Sequence, residues 1–249
     1  MSGHSKWAQI KRKKGRTDVQ RGKVFTRLIR EISVAARLGG GDPEHNVRLK
    51  SAIAHARASN MPMDNVERAI KKGTGELPGV NYEEVQYEGY GQGGVAIIVE
   101  TMTDNRNRTT SDLRHIFTKH GGSLGAPGCV GWIFETKGVI EVAKDKADED
   151  TLISAGLEAG CEDVKSGDSG YELICGPHDF ESAKNAVASA GIEWDLAEIQ
   201  KVPKTFVKVD GKEAIHVLRL VEELEEQEDV QKVYSNFDIP DEVIQKVST

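Results

Sequence analysis

Residues 138–175 read GVIEVAKDKADEDTLISAGLEAGCEDVKSGDSGYELIC, and their alternation of apolar runs with one helical segment decides the fold. The β-branched run at 139–142 predicts a strand, and the stretch 148–159, rich in helix formers, predicts a helix. A second strand is predicted at 161–165. The Gly-rich turn at 167–170 leads into a third at 171–175. Beyond it, 178–190 predicts a second helix and 192–202 a fourth strand. The order is βαββαβ, the ferredoxin-like plait, complete in about 65 residues.

On either side of this unit lies half of another. The run GVAIIVETM at 94–102 predicts a buried strand, 109–120 a helix, and 129–134 a further strand. After Pro203, a strand is predicted at 206–209, an amphipathic helix at 212–226 and a strand at 230–237. Each βαβ lacks a partner beside it. Together they predict a second plait into which the first is inserted.

The N-terminal third reads as helical. Phe25, Leu28, Ile29, Ile32 and Ala36 form one helical stripe, and Lys23, Arg27, Arg30 and Arg37 project within roughly 60° of the opposite side. The glycines at 39–41 end this helix. Asp42-Pro43 reads as an N-cap with Pro at the first helical position, before an Ala-rich helix at 44–59. Asp64-Asn65-Val66-Glu67 resembles a capping box opening a third. The expected class is therefore α+β and multidomain: an N-terminal three-helix module at 1–78, a discontinuous α/β domain at 79–134 plus 206–249, and an inserted α/β domain at 135–205.

Charge is distributed unevenly. Residues 1–75 carry 17 Lys+Arg and 6 Asp+Glu, a net of +11; the remainder carries 16 and 34, a net of −18, and the two sum to the net charge of −7. This separation points to a polyanion-binding segment on an acidic body. The sharpest candidates are Lys6, Lys11, Arg12, Lys13, Lys14, Arg16, Arg21, Lys23, Arg27 and Arg30, offset in the first thirty residues only by Asp18. Such residues neutralise phosphates and release counterions. Trp7 among them either stacks on a base or anchors the tail. The competing reading of the whole run is a solvated tail with a basic helix face.

A second polar cluster, residues 104–111, lies at a strand-to-helix junction, where Arg106 and Arg108, with Arg114 further along, could meet an anion. The alternative is a helix-capping loop. The Gly-rich run 121–128 lacks the G-x-x-x-x-G-K-[ST] pattern and follows a helix, so it reads as a turn. Tyr87 to Gly94 reads as a tight connection before the strand.

Catalysis finds no support. G-x-S-x-G and H-E-x-x-H are absent, and the seven histidines form no ligand-spaced set. Cys129, Cys161 and Cys175 are read as isolated, buried thiols of a reducing compartment. No cofactor, metal, membrane or small-molecule substrate is expected. The polar basic start lacks the apolar core of a secretory signal. The oligomeric state is left open, a monomer being compatible.

Four stretches carry a family resemblance: residues 3–7 (GHSKW), Asn60-Met61-Pro62 with 64–73 (DNVERAIKKG), 87–91 (YEGYG) and 103–109 (TDNRNRT). They resemble the YebC/PmpR family over essentially the whole chain. Gln92 stands where the family often has Pro, and Arg12 where His is common. The resemblance implies three domains and a cytoplasmic bacterial protein. Members are described as probable transcriptional regulators that bind DNA. A mitochondrial branch activates translation and bacterial relatives are linked to ribosome function, so ribosomal RNA is the alternative partner. The resemblance implies no catalytic residues.

Overall fold

The computed structural model describes Trp7, residues 18–167 and residues 170–248. Three helices come first: α1 (Asp18–Gly39), α2 (Val47–Ala58) and α3 (Met63–Thr74). The predicted stripe of α1 faces inward, with Ile32 and Ala36 fully buried and Phe25, Leu28 and Ile29 packed at their edge, against Leu49, Ile53 and Ala56 of α2 and Val66 and Ala69 of α3. Gly40, at φ 85°, ends α1 in the left-handed conformation. Gly73 brings α1 and α3 into close contact, because a Cβ there would lie 2.3 Å from the Ser33 carbonyl oxygen. Ser33 also donates to the Ala69 carbonyl at 3.1 Å.

The caps differ from expectation. Asn46, not Asp42, opens α2, its side chain accepting from the Leu49 amide at 3.0 Å. Asp42 closes a preceding turn by accepting from the Glu44 amide. Pro62 precedes α3 with no side-chain cap.

The inserted unit contains β4 (Phe134–Ala143), α5 (Glu149–Glu158), β5 (Cys161–Ser166), β6 (Gly170–Cys175), α6 (Phe180–Ser189) and β7 (Leu196–Pro203). Its sheet order is β5-β6-β4-β7, all pairs antiparallel, which is the ferredoxin-like arrangement. Cys161 and Cys175 are not isolated; they stand opposite each other on β5 and β6 and share one core. Burial pushes both thiols up, Cys175 to about 11.

The other four-stranded sheet has the order β3-β1-β2-β9, from β1 (Glu83–Tyr90), β2 (Ala96–Thr103), β3 (Ser123–Leu124) and β9 (Val230–Ser235). All its pairs are antiparallel. Two helices, α4 (Arg106–Lys119) and α7 (Gly211–Glu226), complete it. The spatial arrangement is again that of a plait, but its connectivity differs from the one expected. Residues 83–90 supply a central strand, so the tight connection expected at 87–94 begins only after Tyr90. Residues 131–133 form a 3-10 turn where a strand was expected. Val207–Lys208 (β8) pairs instead with Phe237–Asp238 (β10) in a separate parallel pair. A last helix, α8 (Asp241–Ser248), closes the described chain.

The two faces of this sheet have different partners. Ile97 and Val99 of β2 pack with Leu113 and Phe117 of α4 and Val217 and Val221 of α7. Ala96 and Ile98 point the other way, onto Val130, Ile133 and Phe134. Further along that second face, Arg48 of α2 ties the helical module to the sheet. Its guanidinium donates to Glu31 and to Glu84, each at 2.7 Å. Among the described residues no helix is long and apolar enough to cross a membrane.

Candidate nucleic-acid interface

Arg27 and Arg30, on the basic side of α1, face the acidic body, while Arg37 stays exposed. Arg27 donates to the Glu225 carbonyl at the end of α7, and Arg37 donates to the Tyr82 carbonyl. Arg30 is buried; it donates to the carbonyls of Met102 and Glu228 and pairs with Asp229 at 3.0 Å. Glu225, Glu228 and Asp229 lie at or just beyond the C-terminal end of α7, where the helix dipole favours a cation. Burial lowers the Arg27 pKa, although Glu225 opposes the shift. Arg27 and Arg30 are therefore withdrawn as phosphate contacts, because their guanidiniums already hold the module on the body. Lys23 is half-buried.

Asp229 is the centre of this junction. Besides Arg30 it accepts from Arg108 at 3.0 Å and from the Thr109 hydroxyl at 2.7 Å. Burial alone would raise its carboxyl. The hydrogen bonds from Thr109 and Arg108, with the charges of Arg30 and Arg108, outweigh that and hold it below the usual carboxylate range.

Trp7 is 1% exposed, within the core formed by Tyr87, Leu113, Phe117 and Val221. A ring so enclosed presents no face to a base. Of the two readings of Trp7, the anchor is the one its burial fits. Lys6, Lys11, Arg12, Lys13, Lys14 and Arg16 lie outside the described residues, as does the side chain of Arg21.

At the second cluster, Asn105 caps α4 by accepting from the Arg108 amide at 3.1 Å. Arg108 pairs with Asp104 at 2.7 Å as well as with Asp229, so its charge is internally compensated and the capping reading fits it. Arg106 and Arg114 are exposed.

Besides Arg37, exposed cations of the helical module lie on α2 and α3, where the sequence signals only helix. Arg57, Arg68, Lys71 and Lys72 are exposed and form no ion pair among the described residues. Residues 68, 71 and 72 share one side of α3, roughly opposite Val66, Ala69 and Ile70; that spacing was available in the sequence. Four residues, 59–62, join α2 to α3, with Asn60 at φ 56°. This is the connection length of a helix-turn-helix unit.

Glu88 organises the Gly-rich run. Its buried carboxylate accepts from the amides of Gly128, Val130 and Gly131 at 3.0, 2.7 and 2.7 Å. Burial pushes its pKa up, but these bonds and one from Gln86 more than offset it, leaving it low. The ordered turn presents Trp132, 68% exposed, to solvent.

A charged three-helix module seated on the sheet β3-β1-β2-β9, with a ferredoxin-like unit inserted beside it, defines a class of multidomain α+β proteins. The family described as the TACO1/YebC protein N-terminal domain matches residues 5–76, and that described as the TACO1/YebC second and third domain matches residues 82–237. The chain belongs to the TACO1/YebC family. A probable transcriptional regulatory protein of Desulforapulum autotrophicum is 57% identical, over 98% of both chains. Another, of Dictyoglomus turgidum, is 56% identical over 100% of both. Among solved structures, a conserved hypothetical protein from Aquifex aeolicus matches with a TM-score of 0.82 and 49% identity, covering 90% of this chain and 93% of that one.

Proposed function

We propose that this chain is a cytoplasmic transcriptional regulator that binds DNA through its helical module. The basic N-terminal run (Lys6, Lys11 to Lys14, Arg16) would act with the exposed cations of α2 and α3. The observation that carries this reading is the division of labour among the cations. Arg27, Arg30 and Arg37 hold the module on the body, whereas Arg57, Arg68, Lys71 and Lys72 face solvent without carboxylate partners among the described residues. Unpaired surface cations on one module of an otherwise acidic chain suit phosphate contacts. The names of the full-length relatives agree with a regulatory role.

One observation favours ribosomal RNA as the second reading. The indole of Trp132 stands exposed on an ordered turn, and exposed aromatics suit the stacking of unpaired bases. Crosslinking in cells followed by sequencing of the bound nucleic acid separates the two. Enrichment of promoter DNA is expected; recovery of ribosomal RNA alone would replace the first reading with the second.

A further inference from the structure

A cavity of about 340 Å³ opens between the helical module and the sheet face that carries Glu100, lined by Arg48, Glu84, Gln86, Glu100, Gln231 and Lys232. Its volume falls within the roughly 300–1,000 Å³ of small-ligand sites. Arg48 and Glu84 keep 37% and 45% of their side chains exposed, so the cavity communicates with solvent.

A β-bulge shapes its floor. Glu100 of β2 pairs with Lys232 of β9, but the next residue, Thr101, pairs with Val230, so Gln231 is the extra residue. Val230 and Val233 consequently both enter the helix-covered core, while Gln231 and Lys232 both line the cavity. Bulges re-aim side chains in this way beside binding sites.

Two groups at this floor are unsatisfied in complementary ways. The Gln231 amide nitrogen is buried and has no hydrogen-bond partner among the described residues. A buried donor left unpaired is costly. Glu100 forms no ion pair among the described residues and receives a hydrogen bond from Tyr234 at 3.5 Å, longer than a strong one. Desolvation raises its pKa, with Lys232 and Lys201 opposing that shift from nearby. An acceptor and a donor therefore stand on neighbouring strands, with cations beside them.

We propose that this cavity receives one unpaired guanine base of the bound nucleic acid, with Glu100 accepting from its N1–H and N2–H and Gln231 donating to its O6. The inference rests on the nucleic-acid reading above. Unstacked bases are commonly read along this edge by protein side chains. Guanine is favoured because its adjacent N–H donors match one carboxylate while the neighbouring oxygen matches one amide. Lys201, which forms no ion pair among the described residues, supplies positive charge for the attached phosphate, whereas Lys232 is already paired with Glu198 at 2.7 Å.

The test measures binding of the full chain to short single-stranded oligonucleotides with one central guanine, in ribose and deoxyribose series, against the same strands with adenine or hypoxanthine. Guanine is expected to bind roughly tenfold or more tightly. The preference should vanish in Glu100→Gln and in Gln231→Leu, each checked for an unchanged melting temperature. Whichever sugar series shows the preference identifies the nucleic acid that supplies the base. Equal affinity for guanine and adenine, or a preference that survives both substitutions, overturns the guanine site while leaving nucleic-acid binding intact. Failure of every oligonucleotide and of duplex DNA to bind at low salt overturns the nucleic-acid reading, and this site with it.

Discussion

Arg30 of α1 and Asp229, which precedes β9, lie 3.0 Å apart with side chains only 9% and 2% exposed, and their ion pair joins the helical module to the α/β body. Asp229→Asn should destabilise the protein by about 3–5 kcal/mol, because it leaves the buried Arg30 against a neutral group and also removes a partner of the exposed Arg108. Urea unfolding of the two proteins measures this. A cost below about 1 kcal/mol would mean the pair does not hold the module.

The same residue sets an acid limit. The pKa of Asp229 is lower folded than in an unfolded chain. Its contribution is therefore fully present above the unfolded value of about 4 and is lost as pH falls through the folded value. The stability difference between wild type and Asp229→Asn should shrink as pH drops below about 4, read by urea midpoints. A difference that stays constant down to pH 2 would contradict it.

Trp7 separates anchoring from base contact. Trp7→Ala should cost about 3–5 kcal/mol of stability, as for other buried aromatics, while the folded fraction keeps its affinity for nucleic acid. Full stability with lost affinity would restore the stacking role.

Glu88→Gln replaces a carboxylate that accepts from three backbone amides. The amide side chain loses an acceptor oxygen and points donors at donors, so a loss of about 1–3 kcal/mol is expected. Faster hydrogen exchange at Gly128, Val130 and Gly131 would locate the effect; unchanged exchange would contradict it.

The inserted plait was legible because its alternation of strand and helix is local, and the α1 stripe was legible because a period of 3.6 is strong over 22 residues. The strand β1 was not. Its sequence, EEVQYEGY, carries two glutamates at its exposed start and a glycine, Gly89, that lets Ser123 and Phe117 approach closely. Those features read as loop until the partner strand is known. The fate of the α1 arginines was hidden for a similar reason. Nothing near Arg30 in sequence announces Asp229, 199 residues away. A basic helix face looks the same whether it meets phosphate or a buried carboxylate. The exposed triad 68, 71 and 72 required only helical spacing, but the denser charge run before it masked that signal.

The most direct measurement is the salt dependence of nucleic-acid binding by the full chain and by Arg68→Ala/Lys71→Ala/Lys72→Ala. For the wild type, log K should fall linearly with log salt. For the triple variant on duplex DNA, the slope should flatten by about 2–3 while stability is retained, given a contribution of about 0.9 per phosphate contact. Wild-type affinity and slope in the triple variant would contradict contact through α3, and salt-independent binding by the wild type would contradict the phosphate interface altogether.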